Sequence, residues 1–437
     1  MIKTDKGDAL QEAVLKQFLE ICQIPHCSFD TELLKEYIVK KCSDGKTKVV
    51  VDSAGNILAS KGKNKVCLQA HYDMVCIGDE VNPYEKDGYL HSKNSTLGAD
   101  NGVGVAIMLY LLEKHDDIEC LFTNDEEVGL LGAHNLNLQP KSSYLLNLDS
   151  EEEGAIFIGS AGSVQIDSSI PLKLKEVPKG YFFYEISSPT FKGGHSGLDI
   201  DKNIPNAIIE LVKFLKNEDL KLISLDGGEQ INSIPTNAKA IIATMSPVKK
   251  EGFIVKKIEK STNFYIENKN MVFEYILSFP QGVNSFSDEL SLPSKSSNLS
   301  KVTTNEELFK VEIFARAVDK KSLDELFLTH KSLLDFNGFA LNGSKIDLPW
   351  DPNPSLFSKK LKEVALLTWD EVKFKAIHAG LECGVLLKKV DNFKEACSIG
   401  PNIKNPHTKD ERCEINSIGR VLEIVDNLLK GFSGSLT

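Results

Sequence analysis

Three short apolar runs in this chain each end on acidic or imidazole side chains, and this pattern constrains the fold most. Val66-Cys67-Leu68-Gln69-Ala70 is followed at once by His71 and Asp73. The run 118–123 leads into Asp125-Glu126-Glu127, and the run 144–148 ends at Asp149. Short apolar runs of this kind predict buried strands. Between the first two lies Leu97-Gly98-Ala99-Asp100-Asn101-Gly102, which opens an apolar helix over 103–113. Helices between strands predict a mostly parallel sheet, whose sites gather at the carboxyl edge of the strands. Side chains far apart in sequence then meet on one rim.

A length of 437 residues exceeds what one core organises, so two domains are expected. The texture changes near residue 163, where strand-like runs at 181–186, 238–245, 272–277 and 309–317 alternate with helices at 204–216 and 320–334. We read 163–345 as an inserted α+β domain of lid and dimerisation-like character, with Pro349-Trp350-Asp351-Pro352 as the return linker. The tail adds a strand at 372–377, a loop with His407 and a helix at 417–429. It needs the front of the chain to complete its sheet, so the larger domain is discontinuous, 1–162 with 346–437. The expected fold class is α/β: a mixed, mostly parallel sheet with helices on both faces, plus the inserted α+β domain.

A net charge of −11 gives nucleic-acid binding little support. The N-terminus, from Met1 to Lys6, leads into an amphipathic helix over 9–22 and lacks a signal peptide's apolar core. The longest apolar run, 103–112, falls short of a membrane span. Nine cysteines without a Cys-x-x-Cys pair predict reduced thiols and a cytoplasmic location.

The candidate ligands are His71, Asp100, Glu127, Asp149 and His407. Two imidazoles with several carboxylates, and no thiolate motif, suit Zn, Mn or Co at an open catalytic site. One carboxylate can bridge two ions. Each residue has a plainer reading as well. His71 reads as structural, Glu126 and Glu127 as a solvated turn, Asp100 as a helix cap and Asp149 as a turn residue. Their order at predicted strand ends favours the cluster, because buried carboxylates this close repel unless cations hold them.

His71-Tyr72-Asp73-Met74-Val75, the Asp100 segment, Asp125-Glu126-Glu127 and Leu148-Asp149-Ser150-Glu151-Glu152 together resemble the dinuclear metallopeptidase clan M20, in its aminoacyl-histidine dipeptidase branch. Further blocks run collinear with it: Gly193-Gly194-His195-Ser196-Gly197, Asn232-Ser233-Ile234-Pro235, His378-Ala379-Gly380-Leu381-Glu382-Cys383-Gly384, and Ser398-Ile399-Gly400-Pro401 leading to Pro406-His407. The resemblance spans nearly the whole chain. It implies a zinc-peptidase-like catalytic domain and two divalent ions per chain, zinc first, with cobalt and manganese as alternatives. Asp100 would bridge them, His71 and Asp149 completing one ion and Glu127 and His407 the other. Glu126 would be the general base, acting on a water held between the ions, with Asp73 orienting His71 and His195 stabilising the oxyanion. Arg316 would take the substrate carboxylate, and Asn232 and Glu382 would contact substrate. The implied reaction is hydrolysis of dipeptides. Deacylation of N-acyl amino acids is the alternative within the same chemistry, and a non-catalytic metal- or peptide-binding protein is the alternative outside it. The implied partners are a small peptide and, as a candidate assembly, a second copy of the chain, with no nucleic acid or membrane. The segment Gln230-Ile231-Asn232 lacks the family's arginine before Asn-x-Ile-Pro, which leaves side-chain preference open.

Overall fold

The computed structural model describes residues 6–433, apart from 64, 217, 249 and 250. The N-terminal reading of 1–5 lies outside the described residues. The chain divides into two compact units. One comprises Met1–Gly159, Pro352–Lys375 and Leu381–Thr437; the other comprises Ser160–Asp351 and Ala376–Gly380. The five-residue return at Ala376–Gly380 is an exchange that linear boundaries do not contain.

The first unit is built on a mixed sheet. Its strands are β1 (Lys48–Val51), β2 (Ile57–Lys61), β3 (Val66–His71), β4 (Ile118–Thr123), β5 (Tyr144–Asn147), β6 (Ala155–Ser160), β7 (Lys373–Ile377) and β8 (Glu395–Ser398). They lie in the order β1-β2-β4-β3-β5-β8-β6-β7. The central four, β4-β3-β5-β8, pair in parallel, and antiparallel pairs flank them. The mostly parallel sheet expected from the sequence is present. Both faces of its centre are covered, which is why β3 and β4 are buried at every residue and read as unbroken apolar runs. Phe18, Leu68, Ile107, Phe122, Leu146 and Ile418 belong to one apolar cluster that joins this sheet to the helices at Lys6–Ile21, Ala99–Lys114 and Ile415–Ser433.

The second unit is an antiparallel sheet with its own core. The order is Ile254–Ile258, Phe182–Ser187, Ala238–Thr244, Lys221–Gly227, Leu292–Thr304, Leu308–Ala317, Gly162–Pro171, Ala340–Asp347. Helices Ala207–Leu215, Lys269–Ser278 and Lys320–Phe336 pack around one apolar cluster with it. The run 272–277, read as a strand, is helical. Its β-branched and aromatic residues invite the strand reading, but Val272, Phe273, Tyr275 and Ile276 are buried together, at helical spacing.

The cysteine reading needs one correction. Cys27 and Cys76 form a disulfide, their Cα atoms 5.5 Å apart, within bridging distance. Forty-nine residues separate them in sequence, so no motif announces the pair. The other seven cysteines are free and buried. Among the described residues no helix is long and apolar enough to cross a membrane.

Candidate metal centre

All five proposed ligands lie in the first unit, and the parallel strands explain why they meet. His71 closes β3, Glu126 and Glu127 follow β4, Asp149 follows β5, and His407 lies beyond β8. Parallel neighbours end on the same edge, so these loops share one rim.

Three groups of side chains are close enough to hold an ion: one joins His71, Glu126 and Glu127, and the other two are ligand sets that share one carboxylate. His71, Asp100 and Asp149 place ligand atoms within 4.8 Å of one another, and so do Asp100, Glu127 and His407. Asp100 Oδ1 lies 3.2 Å from His71 Nε2, and its Oδ2 lies 3.0 Å from His407 Nε2. His71 Nε2 is also 3.1 Å from Asp149 Oδ1, and His407 Nε2 is 3.0 Å from Glu127 Oε1. Each oxygen of Asp100 thus faces a different imidazole.

Asp100 is free for this task because its neighbour takes the capping role. Asp100 and Asn101 leave helical geometry (φ −87°, ψ 104° and φ −115°, ψ 33°) at the head of the helix Ala99–Lys114. Asn101 Oδ1 accepts the Gly104 N–H at 3.1 Å, the bond of an N-cap, and Asn101 Nδ2 donates to Asp149 Oδ1 at 2.6 Å. The sequence reading assigned Asn101 no role; it offered only Asp100 as a cap.

Asp73 works through two groups. His71 Nδ1 donates to the Asp73 backbone oxygen at 3.0 Å, which leaves Nε2 for the cluster. The Asp73 carboxylate accepts Ser28 Oγ at 2.8 Å and the backbone N–H groups of Glu126 and Glu127 at 2.9 and 3.3 Å. β4 ends at Thr123, and Asp125 takes a left-handed φ of 50°. A turn tied to Asp73 therefore presents the two glutamates, not strand alternation. His407 also holds a left-handed φ of 57°, a conformation non-glycine residues seldom keep unless their surroundings impose it.

Glu382 was assigned to substrate, but the structure buries it completely. Its Oε2 accepts Thr123 Oγ1 at 2.7 Å and Gln69 Nε2 at 2.5 Å. Gln69 Oε1 in turn accepts Asn147 Nδ2 at 2.7 Å. Glu382 belongs to a buried polar network behind the rim. Two further carboxylates escaped the sequence reading. Glu151 is half-buried, with Asp100 and Asp149 near enough to add to the desolvation that raises its pKa to about 8. Glu411 accepts four backbone N–H groups from residues 97–100. Nothing in the local sequence, Lys409-Asp410-Glu411-Arg412, separates Glu411 from a solvated charge run.

In the second unit, His195 Nδ1 accepts the N–H groups of Gly197 and Leu198 at 3.3 and 3.1 Å. These bonds assign the neutral ring's proton to Nε2, which stands 3.4 Å from Arg316 Nη2. Arg316 is 6% exposed, and its Nε is buried without a hydrogen-bond partner. Two donors this close suit an anion. Asn232 is exposed, and its backbone oxygen accepts the Ser196 N–H at 2.8 Å.

The charge pattern fits cations. Burial pushes Glu126 well above the usual carboxylate range, Glu127 to about 7 and Asp149 to about 6. Burial disfavours charge on both imidazoles, yet the carboxylates raise them, His71 through Asp149 and Asp100, and His407 through Asp100 and Glu127 to about 12. Glu127 Oε1 is buried and close to His407, but lacks hydrogen-bond alignment. Two imidazoles with several carboxylates, one of them shared, make a donor set that divalent ions satisfy and protons do not.

The peptidase family M28 profile matches residues 54–171, under half of the chain. The Escherichia coli cytosol non-specific dipeptidase is 32% identical, over 94% of this chain and 96% of that protein. The chain belongs to the family of that dipeptidase. Its identification with the M20 metallopeptidases, drawn from the motifs around His71, Asp100, Glu126 and Asp149, stands. The crystal structure of aminoacylhistidine dipeptidase from Vibrio alginolyticus superposes with a TM-score of 0.74 at 27% identity, covering 96% of both chains. A tripeptidase from Staphylococcus aureus shares the fold, with a TM-score of 0.62 at 18% identity over 96% of this chain and 99% of that one.

Ligand atoms must lose their protons before they bind metal. With Glu127 raised to about 7 and His407 to about 12, the metal-free ligand set should hold protons at pH 7. Binding should therefore release protons, and affinity should fall as pH falls below 7. Titration calorimetry in two buffers of different ionisation enthalpy should give a net release at pH 7. A release of zero would show that the cluster binds no ion through these groups.

Proposed function

We propose that this protein is a metal-dependent dipeptidase with Glu126 as general base. The observation that carries the reading is the sharing of Asp100 between two imidazoles, Oδ1 toward His71 and Oδ2 toward His407. His71 and Asp149 would hold one divalent ion, Glu127 and His407 the other, with Asp100 common to both. Zinc suits this donor set best, with cobalt or manganese as substitutes. When bound, such ions acidify water and polarise a scissile carbonyl.

Glu126 takes the proton of the attacking water and returns it to the departing amine. Its backbone is fixed by Asp73, and its neighbour Glu127 is committed to the ion. The Arg316–His195 pair of the second unit extends the proposal, Arg316 for the substrate carboxylate and His195 for the oxyanion. The dipeptide preference rests on the E. coli relative named a dipeptidase and on the aminoacylhistidine dipeptidase of Vibrio alginolyticus. A cytosolic location is proposed from the same E. coli relative. A homodimer belongs to the proposal too. The outer strands Ile254–Ile258 and Ala340–Asp347 of the second unit's sheet offer edges for pairing.

The deciding assay loads the metal-free protein with zinc, manganese or cobalt and compares dipeptides, tetrapeptides and N-acyl amino acids. Dipeptides should turn over much faster than tetrapeptides, and Arg316→Ala should mainly raise KM. Equal rates on long peptides would sink the length preference, and faster turnover of N-acyl amino acids would make the enzyme a deacylase.

His195→Ala should lower kcat about 10²-fold with metal content intact, because an oxyanion donor acts in the transition state. Lost thermal stability with near-normal kcat would assign His195 to packing instead.

Glu126 and Glu127 should separate cleanly. Glu126→Gln keeps size and hydrogen bonding but accepts no proton, so it should bind two ions per chain and lose about 10²–10⁴ in rate. Glu127→Gln should lose metal affinity, with activity partly recovered at high metal concentration. Elemental analysis showing the reverse would exchange the two roles.

A further inference from the structure

Glu411 joins neither ligand set, yet it is 2% exposed and its carboxylate is saturated with backbone donors. Its Oε2 accepts the N–H groups of Leu97 and Gly98 at 2.8 and 3.2 Å. Its Oε1 accepts those of Ala99 and Asp100 at 2.8 and 3.4 Å. Four successive amides thus converge on one side chain. We propose that Glu411 is the positioning residue of the centre: reaching over from the loop that carries His407, it sets the backbone of residues 97–100 so that Asp100 presents one oxygen to each ligand set.

The need for such a clamp follows from local geometry. An ordinary helix or strand would fix the Asp100 backbone through its own ladder, but Gly98 takes a left-handed φ of 72°, and Asp100 and Asn101 are non-helical. A Cβ at Gly98 would also crowd Met74, 2.8 Å from its Sδ. The amides of 97–100 point away from the regular helix and need an acceptor of their own. A carboxylate supplies two oxygens and a full negative charge to four donors, a stronger arrangement than neutral acceptors give.

The clamp also joins two ligand loops. Glu411 follows His407 by four residues in a loop closed by its own bonds, Glu411 N–H to the Thr408 oxygen at 3.2 Å and Thr408 Oγ1 to the Asn405 oxygen at 2.8 Å. His407 Nε2 faces Asp100 Oδ2 at 3.0 Å across the same junction. One carboxylate therefore governs the spacing between a bridging ligand and a terminal one. Glutamine in its place has one acceptor oxygen and would turn an NH₂ group toward backbone N–H donors.

This inference rests on the metal reading of Asp100, and its test separates the two. In Glu411→Gln, affinity for both ions should fall about 10-fold or more, because Asp100 serves both, and kcat should fall about 10²-fold from misplacement alone. In the metal-free protein, hydrogen exchange at amides 97–100 should quicken about 10-fold or more while β3 and β4 stay protected. Uniformly faster exchange and a lower Tm, with metal affinity per folded molecule unchanged, would make Glu411 merely structural and overturn the proposal. Should the variant fail to fold, exchange in the metal-free wild-type protein decides. Amides 97–100 should be slow, and exchange as fast as in the exposed turn at residues 87–88 overturns the clamp. A wild-type protein that binds no divalent ion overturns the functional reading instead, so the two failures are distinguishable.

Discussion

The first unit depends on one constraint: several carboxylates buried together must be compensated. Asp100 shows how the chain meets it. Burial works against its charge, but contacts from His407 and His71 hold its carboxyl well below the usual range. Glu126, Glu127 and Asp149 lack compensation on that scale, and their pKa values rise. A fold that spent this much burial on acids without cations would be destabilised at neutral pH. The order of strands in the sheet, the satisfied backbone behind each ligand and the excess of acids over imidazoles all become intelligible once two divalent ions complete the set.

The supports around the ligands follow one rule. Asp100, Glu126, Glu127 and Asp149 are each attached to a segment whose backbone is held by a polar residue that does not itself join a three-residue ligand set. Asp73 holds Glu126 and Glu127, Asn147 Oδ1 accepts the Asp149 N–H at 3.2 Å, Asn101 caps its helix and restrains Asp149, and Glu411 holds residues 97–100. Regular secondary structure ends short of Glu127, Asp149 and His407 and is broken at Asp100, so only His71 stands within an unbroken element. Precision at the rim therefore comes from side chain to backbone bonds, and the parallel sheet supplies only the approximate meeting place.

This division explains what the sequence could disclose. The strands β3, β4 and β5 were legible because burial on both faces writes an unbroken apolar run, and His71, Glu127 and Asp149 stood out as candidate ligands because they follow those runs at once. The supports left no such mark. Glu411 sits in a charged stretch, and its burial depends on partners more than 300 residues away. The run 272–277 misled because local propensity favours a strand, while packing against the second unit's core selects a helix. The strand Leu292–Thr304 was missed for the opposite reason. Its buried residues include Ser296, Ser297, Asn298 and Ser300, whose polar groups are satisfied by neighbours such as His378 and His330. Hydrophobic patterning cannot report a polar interior that pairs with itself.

The buried network behind the rim bears on why Glu126, and not another acid, is proposed as the base. A base works best with a pKa near the working pH. Burial raises Glu126 first, and the charges of Glu127, Asp149 and Glu382 add to that, while His71 opposes them. Glu382 is held in place by Thr123 and Gln69, so its contribution is fixed by the fold. Bound cations act in the other direction and lower the pKa of any carboxylate near them. A glutamate in an ordinary solvated setting would be driven by those cations to a low pKa and would be a poor proton acceptor. Glu126 begins well above the ordinary range, so the same cations would act on a carboxyl that its surroundings already raise. On the proposed assignment, the burial and the surplus negative charge that look like a liability in the metal-free protein would oppose that lowering and favour a basic Glu126.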